Sequence, residues 1–369
     1  MTKKIISAGH ICLDITPVFP ASVRGGTIRE LLQPGKLLQM EAADVHTGGS
    51  VANTGLALKL LGNEVVLLGK IGKDVFGEMV KSIVAAYDAG GLIEDAGTST
   101  SYSVVLAIPG YDRIFLHNPG ANDSFSGADI PEEVLKEASL FHFGYPPLMK
   151  RMYADGGEEL REIFRRVKEH GIATSLDLAA VDPNSEAGHA DWRAILGAVL
   201  PMVDFFVPSF EELCFMLDRE RYDRLNRGGD MTDGLDLRTE ALPLAEEAIR
   251  MGCSAVLVKC GKSGMVYKTA GAGAMRAVGR NLSLNAAAWA DREGIQPCFR
   301  ADIVRSGTGA GDTSIAAFLT AVLRGFDPAE CAALAAAEGA CSVTAYDALS
   351  GLRPIEELSG KIRAGWETL

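Results

Sequence analysis

Short β-type runs alternate with helical patterns along most of this 369-residue chain. "EVVLLGKI" is followed by "DVFGEMVKSIVAAY", "SLFHF" by "EELREIFRRVKEHG", "IATSLDL" by "DWRAILGAVL", and "VDFFV" by "SFEELCFML". Such alternation predicts a mainly parallel sheet covered by helices, and the near-continuous apolar run "AVLVKC" reads as a strand buried on both faces. Two segments break the rhythm. "DITPVFPASVRGGTIRELLQPGKLLQM" carries Pro and Gly where a first βα unit should continue, and "SYSVVLAIPGYDRIFLHN" reads as two strands around a Pro-Gly turn. Together they predict a small antiparallel sheet from about residues 15 to 46 and 98 to 118, with one face free to cover a cleft. "DRERYDRLNRGGDMTDGLDLRTE" is polar and rich in breakers, and reads as a surface excursion.

Composition excludes several classes. A net charge of -12 argues against nucleic acid or an anionic membrane as the main partner, although a few local donors suffice for a small anion. The seven cysteines are odd in number, scattered and set among apolar residues, so they read as reduced core thiols with no disulfide framework. No C-x-x-C pair or His cluster has the spacing of structural zinc. The start lacks the h-region of a signal peptide, and no apolar run is long enough to span a bilayer. The expected location is the cytoplasm.

The most pointed stretch is "VRSGTGAGDTSIAAFLTAVLRG". After Asp312, the residues Ile315, Phe318, Leu319, Val322 and Leu323 fall on one helical face, and Gly325 then Pro328 mark its end. The helix therefore starts within "GAGD". Asp312 is either a plain N-cap or an acid beside an anion hole made by the first N–H groups and the helix dipole. The glycines favour the second reading, because a phosphate needs bare backbone around it whereas a cap needs one residue. "GTGAGD" fits no register of G-x-G-x-x-G, and "KCGKSG" lacks the upstream glycine of a P-loop.

A second glycine motif, "TGGSVANTGLALKLLG", joins Gly48 and Gly49 to a helix ending near Gly62, with Asn53 in its first turn. It is either a tightly packed turn or a place where a ligand or lid comes close and Asn53 meets hydroxyls. Asp14, read at the end of the first strand, is a turn residue or a carboxylate for hydroxyls, and the carboxyl ends of strands favour the latter.

With "GGSVANT" and "GTGAGDT" in this order and separation, the chain resembles the ribokinase-like (PfkB-type) carbohydrate kinases. "VDFFVPSFEEL" is similar to that family's Asn-x-x-Glu segment, with Glu212 in the Glu position, and "VLVKCGKSGMVY" to its nucleotide-side strand, glycine turn and strand. The resemblance covers nearly the whole chain. It implies an α/β fold, a ribokinase-like three-layer sandwich with a central mostly parallel sheet, built as a single domain over residues 1–369 with a β lid. It also implies transfer of the γ-phosphoryl group of ATP, with Mg²⁺, to a hydroxyl of a sugar or sugar acid. In that reading Asp312 is the base and the backbone of Gly309, Ala310 and Gly311 the anion hole. Asp14, Gly49 and Asn53 hold the acceptor, Gly261, Lys259 and Asp177 lie on the nucleotide side, and Glu212 meets the metal through water. A homodimer formed through the lid sheet is expected. A nucleoside kinase and a catalytically silent sugar-binding or regulatory protein share the fold.

The sequence departs from the family pattern at three places. Ser306-Gly307 replaces Asp-Thr upstream of the glycine motif, which weakens the implied monovalent-cation site, and Ser209 replaces the Asn of Asn-x-x-Glu. "AGAGAMRAVGRNLSLNAAAWADREGIQPCFRADI" is longer than the usual link into the last motif.

Overall fold

The structure is a computed structural model and describes residues 3–23, 28–109, 111, 113–226, 229–279, 282 and 284–369. In chain order its strands are β1 (Lys4–Gly9), β2 (Cys12–Thr16), β3 (Asp44–Gly48), β4 (Glu64–Gly72), β5 (Ile93–Asp95), β6 (Tyr102–Leu106), β7 (Ile114–Asn118), β8 (Ala138–Gly144), β9 (Ala173–Leu176), β10 (Phe205–Phe206), β11 (Ala255–Lys259), β12 (Met265–Thr269) and β13 (Glu293–Gln296). Nine of them form one sheet in the order β13-β12-β11-β10-β9-β8-β1-β4-β5. All its pairings from β5 to β11 are parallel, and only the β11–β12 and β12–β13 pairs are antiparallel. The alternation in the sequence has this sheet as its cause, since each parallel step needs a crossover that a helix fills.

Both faces of the sheet are buried, and successive strand residues serve opposite cores. Ile5, Leu67, Leu140, Phe205 and Leu257 belong to one, with the helices Ser50–Leu60, Ala310–Arg324 and Pro328–Ser342. Ile6, Leu68, Phe141, Phe206 and Val256 belong to the other, with Glu158–Glu169, Trp192–Val199 and Phe210–Leu217. The result is three layers. Phe205 packs edge-on against Trp289 and Phe318, with ring centroids 5.7 and 6.0 Å away, and burying each such side chain stabilises the fold by about 1.5–3 kcal/mol.

The helix after "GAG" runs Ala310–Arg324 and ends at Gly325 in the left-handed conformation, as the sequence implies. It is not amphipathic: every residue from Asp312 to Leu323 is buried, because neighbouring helices enclose it on the sides away from the sheet.

The remaining four strands form the separate small sheet, in the order β3-β2-β6-β7. It is not wholly antiparallel, for β2 and β6 pair in parallel. Gly110 of the expected Pro-Gly turn and residues 24–27 of the first lid segment lie outside the described residues. Asp14 is not at the end of the first strand. β1 stops at Gly9, whose φ of 123° breaks the run, and Asp14 sits in mid-β2 of the small sheet, opposite His46. The long link supplies Trp289 and the edge strand β13. The polar excursion is only partly surface: Met231 and Thr232 are buried, and Ser263 Oγ donates to Thr232 O at 2.6 Å. All seven cysteines are free.

The Pro328–Ser342 helix starts on a capping box between Asp327 and Glu330, and carries a fully buried acid. Glu338 accepts one hydrogen bond, from Arg353 N at 3.1 Å, and its Oε2 has no partner. Burial pushes its carboxyl up to about 8, against the pull of the Arg353 amide and guanidinium. The folded value lies above the usual carboxylate range, so the native state holds a proton that the unfolded chain releases. This stability is complete below about pH 4 and is lost as pH rises toward 8. Thermal melts of Glu338→Gln should therefore gain on the native chain between pH 5 and pH 8, and parallel curves would show that Glu338 is already ionised in the fold.

Candidate active site

Five adjacent parallel strands, β1, β8, β9, β10 and β11, deliver His10, Tyr145, Asp177, Ser209 and Lys259 at or just beyond their carboxyl ends, where α/β sheets bind ligands. The crowding is severe. A Cβ on Gly9 would stand 2.3 Å from Gly144 O, and one on Gly144 would meet Ser50 Cβ at 2.3 Å.

The Ala310–Arg324 helix points its first turn into this edge. Gly309, its N-cap, has φ 73°, and its own ladder begins where Thr313 N donates to Gly309 O at 2.9 Å, so the amides of Gly311 and Asp312 precede it. Asp312 is not a plain cap, since no side-chain cap bond closes this helix. Its carboxylate is held from three sides. Thr54 Oγ1 donates to Oδ1 at 2.8 Å, Asn53 Nδ2 to Oδ2 at 3.1 Å, and Tyr145 Oη to Oδ2 at 2.8 Å.

Lys259 supplies the counter-charge. A Cβ on Gly311 would lie 3.7 Å from its Cε, and its Nζ donates to Asp177 Oδ1 at 2.8 Å and to Val207 O at 2.5 Å. Burial pushes the Asp177 carboxyl up to about 8 against the pull of Lys259, and the Glu212 and Asp312 charges add to the rise. For Lys259, burial acts downward, but the surrounding carboxylates, Asp177 first, carry the ammonium above its usual range. Glu212 stands in the first turn of Phe210–Leu217, where its Oε2 accepts from Ser209 N at 2.7 Å and Ser209 Oγ accepts from Glu212 N at 3.3 Å. It is a helix cap and a member of the charged cluster together. Ser209, in place of Asn, completes this box. Gly261, with φ 51°, turns against Thr232, whose Oγ1 would lie 2.4 Å from a Cβ there. Among the described residues no three His, Cys, Asp or Glu side chains converge as a direct metal nest.

The acceptor-side glycines answer to the chain's own side chains. A Cβ on Gly48 would meet Asp14 Oδ2 at 2.2 Å, and one on Gly49, at φ 84°, would meet His10 Nδ1 at 2.5 Å. Burial raises the Asp14 carboxyl, opposed by hydrogen bonds from Cys12 and Ser103. Beside it opens a cleft of about 930 Å³, lined by Asp14 and His46 of the small sheet, by Asn53, and by Ser306, Gly307 and Thr308 ahead of the helix. Ser306 Oγ donates to Thr308 Oγ1 at 2.9 Å and its amide donates to Val343 O at 3.3 Å.

This arrangement joins a glycine-flanked helix start, a buried carboxylate and a cleft. The family model for pfkB family carbohydrate kinases matches residues 26–354. The chain belongs to that family. Among curated relatives of this pfkB chain, fructokinase-1 of Oryza sativa subsp. japonica is 32% identical over 180 residues, covering 48% of this chain and 51% of that protein. Fructokinase-1 of Zea mays is 33% identical over 177 residues, covering 47% and 50%. The matches thus span about half the length of these relatives. Over nearly the whole chain, the fold is that of the fructokinase with bound ATP from Xylella fastidiosa (TM-score 0.72, 20% identity, 99% of each chain). The ribokinase of Arabidopsis thaliana complexed with ribose and ATP is similar too (TM-score 0.68, 17% identity, 98% of each chain).

Of the residues singled out in the pfkB chain's sequence, Asp312, Asn53, Lys259, Asp177 and Glu212 gather at one edge, with Gly309, Ala310 and Gly311 on the helix start. Asp14 borders the cleft, and Gly49 packs against His10 outside its lining. Gly261 stands apart, on its own turn against Thr232. Three residues escaped sequence reasoning. Thr54 lies inside the quoted "GGSVANT". Tyr145, set between Gly144 and Pro146, takes the left-handed conformation with φ 65° and ψ 42°, at a cost of about 1–2 kcal/mol for a bulky residue. His10 is buried with both ring nitrogens unpartnered, its centroid 5.2 Å from that of His117, and burial drives its imidazole well below the usual range.

The Lys259–Asp177 pair has a direct test. Lys259→Met removes the cation that partners the buried Asp177 carboxyl, so urea unfolding should show a loss of about 3–5 kcal/mol. Lys259→Met combined with Asp177→Leu should recover most of it. A loss that the double variant keeps would point to packing instead of charge.

Proposed function

We propose that this pfkB-family protein is an ATP-dependent carbohydrate kinase that moves the γ-phosphoryl group to a hydroxyl of a sugar or sugar acid. The observation that carries the reading is the carboxylate of Asp312, seated in the first turn of its helix and hydrogen-bonded at 3.1 Å to Asn53, which lines the cleft. Such transfer needs mainly alignment and charge stabilisation. Asp312 accepts the proton of the attacking hydroxyl, and the amides of Gly309, Ala310 and Gly311 meet the charge that develops on the transferred group. Lys259 and Asp177 stand at the phosphate side, Gly261 at the nucleotide turn, and Asp14, Gly49 and Asn53 at the acceptor. Mg²⁺, when bound with the nucleotide, offsets phosphate charge. The acidic set around Lys259 suits a metal carried by phosphates and met by Glu212 through water.

The small sheet acts as the lid. Asp14 and His46 reach the cleft from it, so its closure brings polar groups to the acceptor and excludes water. Its edge strand β7 leaves Phe115 and Leu116 more than half exposed, which supports a homodimer paired through the lid. No helix among the described residues is long and apolar enough to cross a membrane, and the reading takes the enzyme as cytoplasmic.

ATP consumption measured with a panel of sugars, sugar acids and nucleosides tests the class of acceptor. With the best one, Asp312→Asn should keep the fold and ATP affinity but lower kcat by about 10²-fold or more. Near-native turnover in that variant would remove Asp312 from the mechanism, and a preference for nucleosides would move the enzyme to another acceptor class. Sedimentation at micromolar concentration should give a dimer that Phe115→Lys dissociates.

A further inference from the structure

Three donors hold Asp312, and they are not alike. Thr54 and Asn53 come from the first turns of a buried helix, Ser50–Leu60, and are fixed by it. Tyr145 comes from the turn after β8, at the end of a long side chain on a left-handed backbone. Its Oη lies 2.8 Å from Oδ2, the oxygen that Asn53 also engages at 3.1 Å, and two donors fill the lone pairs of one carboxylate oxygen. A hydroxyl about to be phosphorylated must make the same O–H···O bond to this carboxylate. The phenol is kept protonated, since burial first and the Asp312 charge second raise it well above its usual range, so it donates and does not act as a base. Its ring lies with its centroid 6.1 Å from that of His10.

We infer, on the kinase reading above, that the Tyr145 hydroxyl is a placeholder for the acceptor: it occupies Oδ2 of Asp312 while the cleft is empty and yields that hydrogen bond to the incoming hydroxyl. Its effect is to suppress wasteful hydrolysis of ATP. In the reaction it prevents, Asp312 takes a proton from water and the water oxygen bonds to the γ-phosphorus. The bond from that phosphorus to the β,γ-bridging oxygen breaks, and its electron pair leaves with ADP to give inorganic phosphate. Tyr145 acts through Asp312 and is a positioning residue.

The test needs no knowledge of the acceptor. Phosphate release from MgATP is measured without any sugar, in the native protein, Tyr145→Phe, and Tyr145→Phe with Asp312→Asn, alongside calorimetric binding of MgATP. Tyr145→Phe should raise acceptor-free hydrolysis about tenfold, a small part of what a positioned base contributes, and the double variant should fall back to the native rate or below. A residue that only supports the fold would lower hydrolysis, so a rise has no structural explanation. Tyr145→Asn, which suits the left-handed backbone and is too short to reach Asp312, should behave as Tyr145→Phe does and serves if the latter does not fold. Hydrolysis at or below the native rate in variants that bind MgATP overturns the placeholder while leaving the kinase reading intact. Failure of the native protein to bind MgATP overturns both.

Discussion

The site depends on a buried ammonium. Asp177, Glu212 and Asp312 converge at the carboxyl edge of the sheet in a chain whose net charge is already -12, and this is where the proposed function seats a polyanion. At protein-interior distances, carboxylates that close repel one another by several kcal/mol even with strong screening. Lys259 resolves the conflict from the end of β11. Its stem runs beside Gly311, a Cβ on which would lie in ordinary contact 3.7 Å from its Cε, and its head is tied to Asp177 and to the carbonyl of Val207. Burial first, and then the Glu212 and Asp312 charges, push the Asp177 carboxyl up to about 8 against the pull of Lys259.

The second constraint is steric and joins the small sheet to the helix that holds Asp312. Gly48 is forced by the Asp14 carboxylate and Gly49 by the His10 ring, so the turn that starts the Ser50–Leu60 helix is shaped by residues on both sides of the break between β1 and β2. Asn122 ties the same break from below: its Oδ1 accepts from Ile11 N at 3.1 Å and its Nδ2 donates to Ile11 O at 2.9 Å. Asn53 and Thr54 then follow on that helix and hold Asp312.

What could be read from the sequence was local. The GAGD helix start, the glycine pair, the strand–helix rhythm and the paired runs of the small sheet each lie within about 20 residues of chain, and periodicity and turn chemistry report at that range. What could not be read was contact between distant segments. Tyr145 meets Asp312 across 167 positions and Thr54 meets it across 258, and nothing in "FHFGYPP" says where its phenol ends. Asp14 was placed on the wrong sheet because β1 and β2 form one apolar stretch, and only the positive φ of Gly9 divides it. The buried face read for the GAGD helix is buried in the structure, and the pattern stops short of the rest because Ala316, Ala317 and Ala321 look neutral in it, yet small side chains are what allow a helix to be enclosed all round.

The same contrast explains why Glu212 supported two readings. In sequence it is an acid three residues after Ser209, which is the pattern of a capping box as well as the last position of the family's Asn-x-x-Glu. The structure satisfies the first demand in full, with both reciprocal bonds made, and this does not compete with the second. A cap fixes the carboxylate by one oxygen at the mouth of the helix, close enough to Lys259 to raise the ammonium, and an acid fixed in that way can order water without being drawn onto the lysine. Ser in place of Asn at position 209 caps the helix through the Glu212 amide, while the backbone amide of Ser209 holds the Glu212 carboxylate.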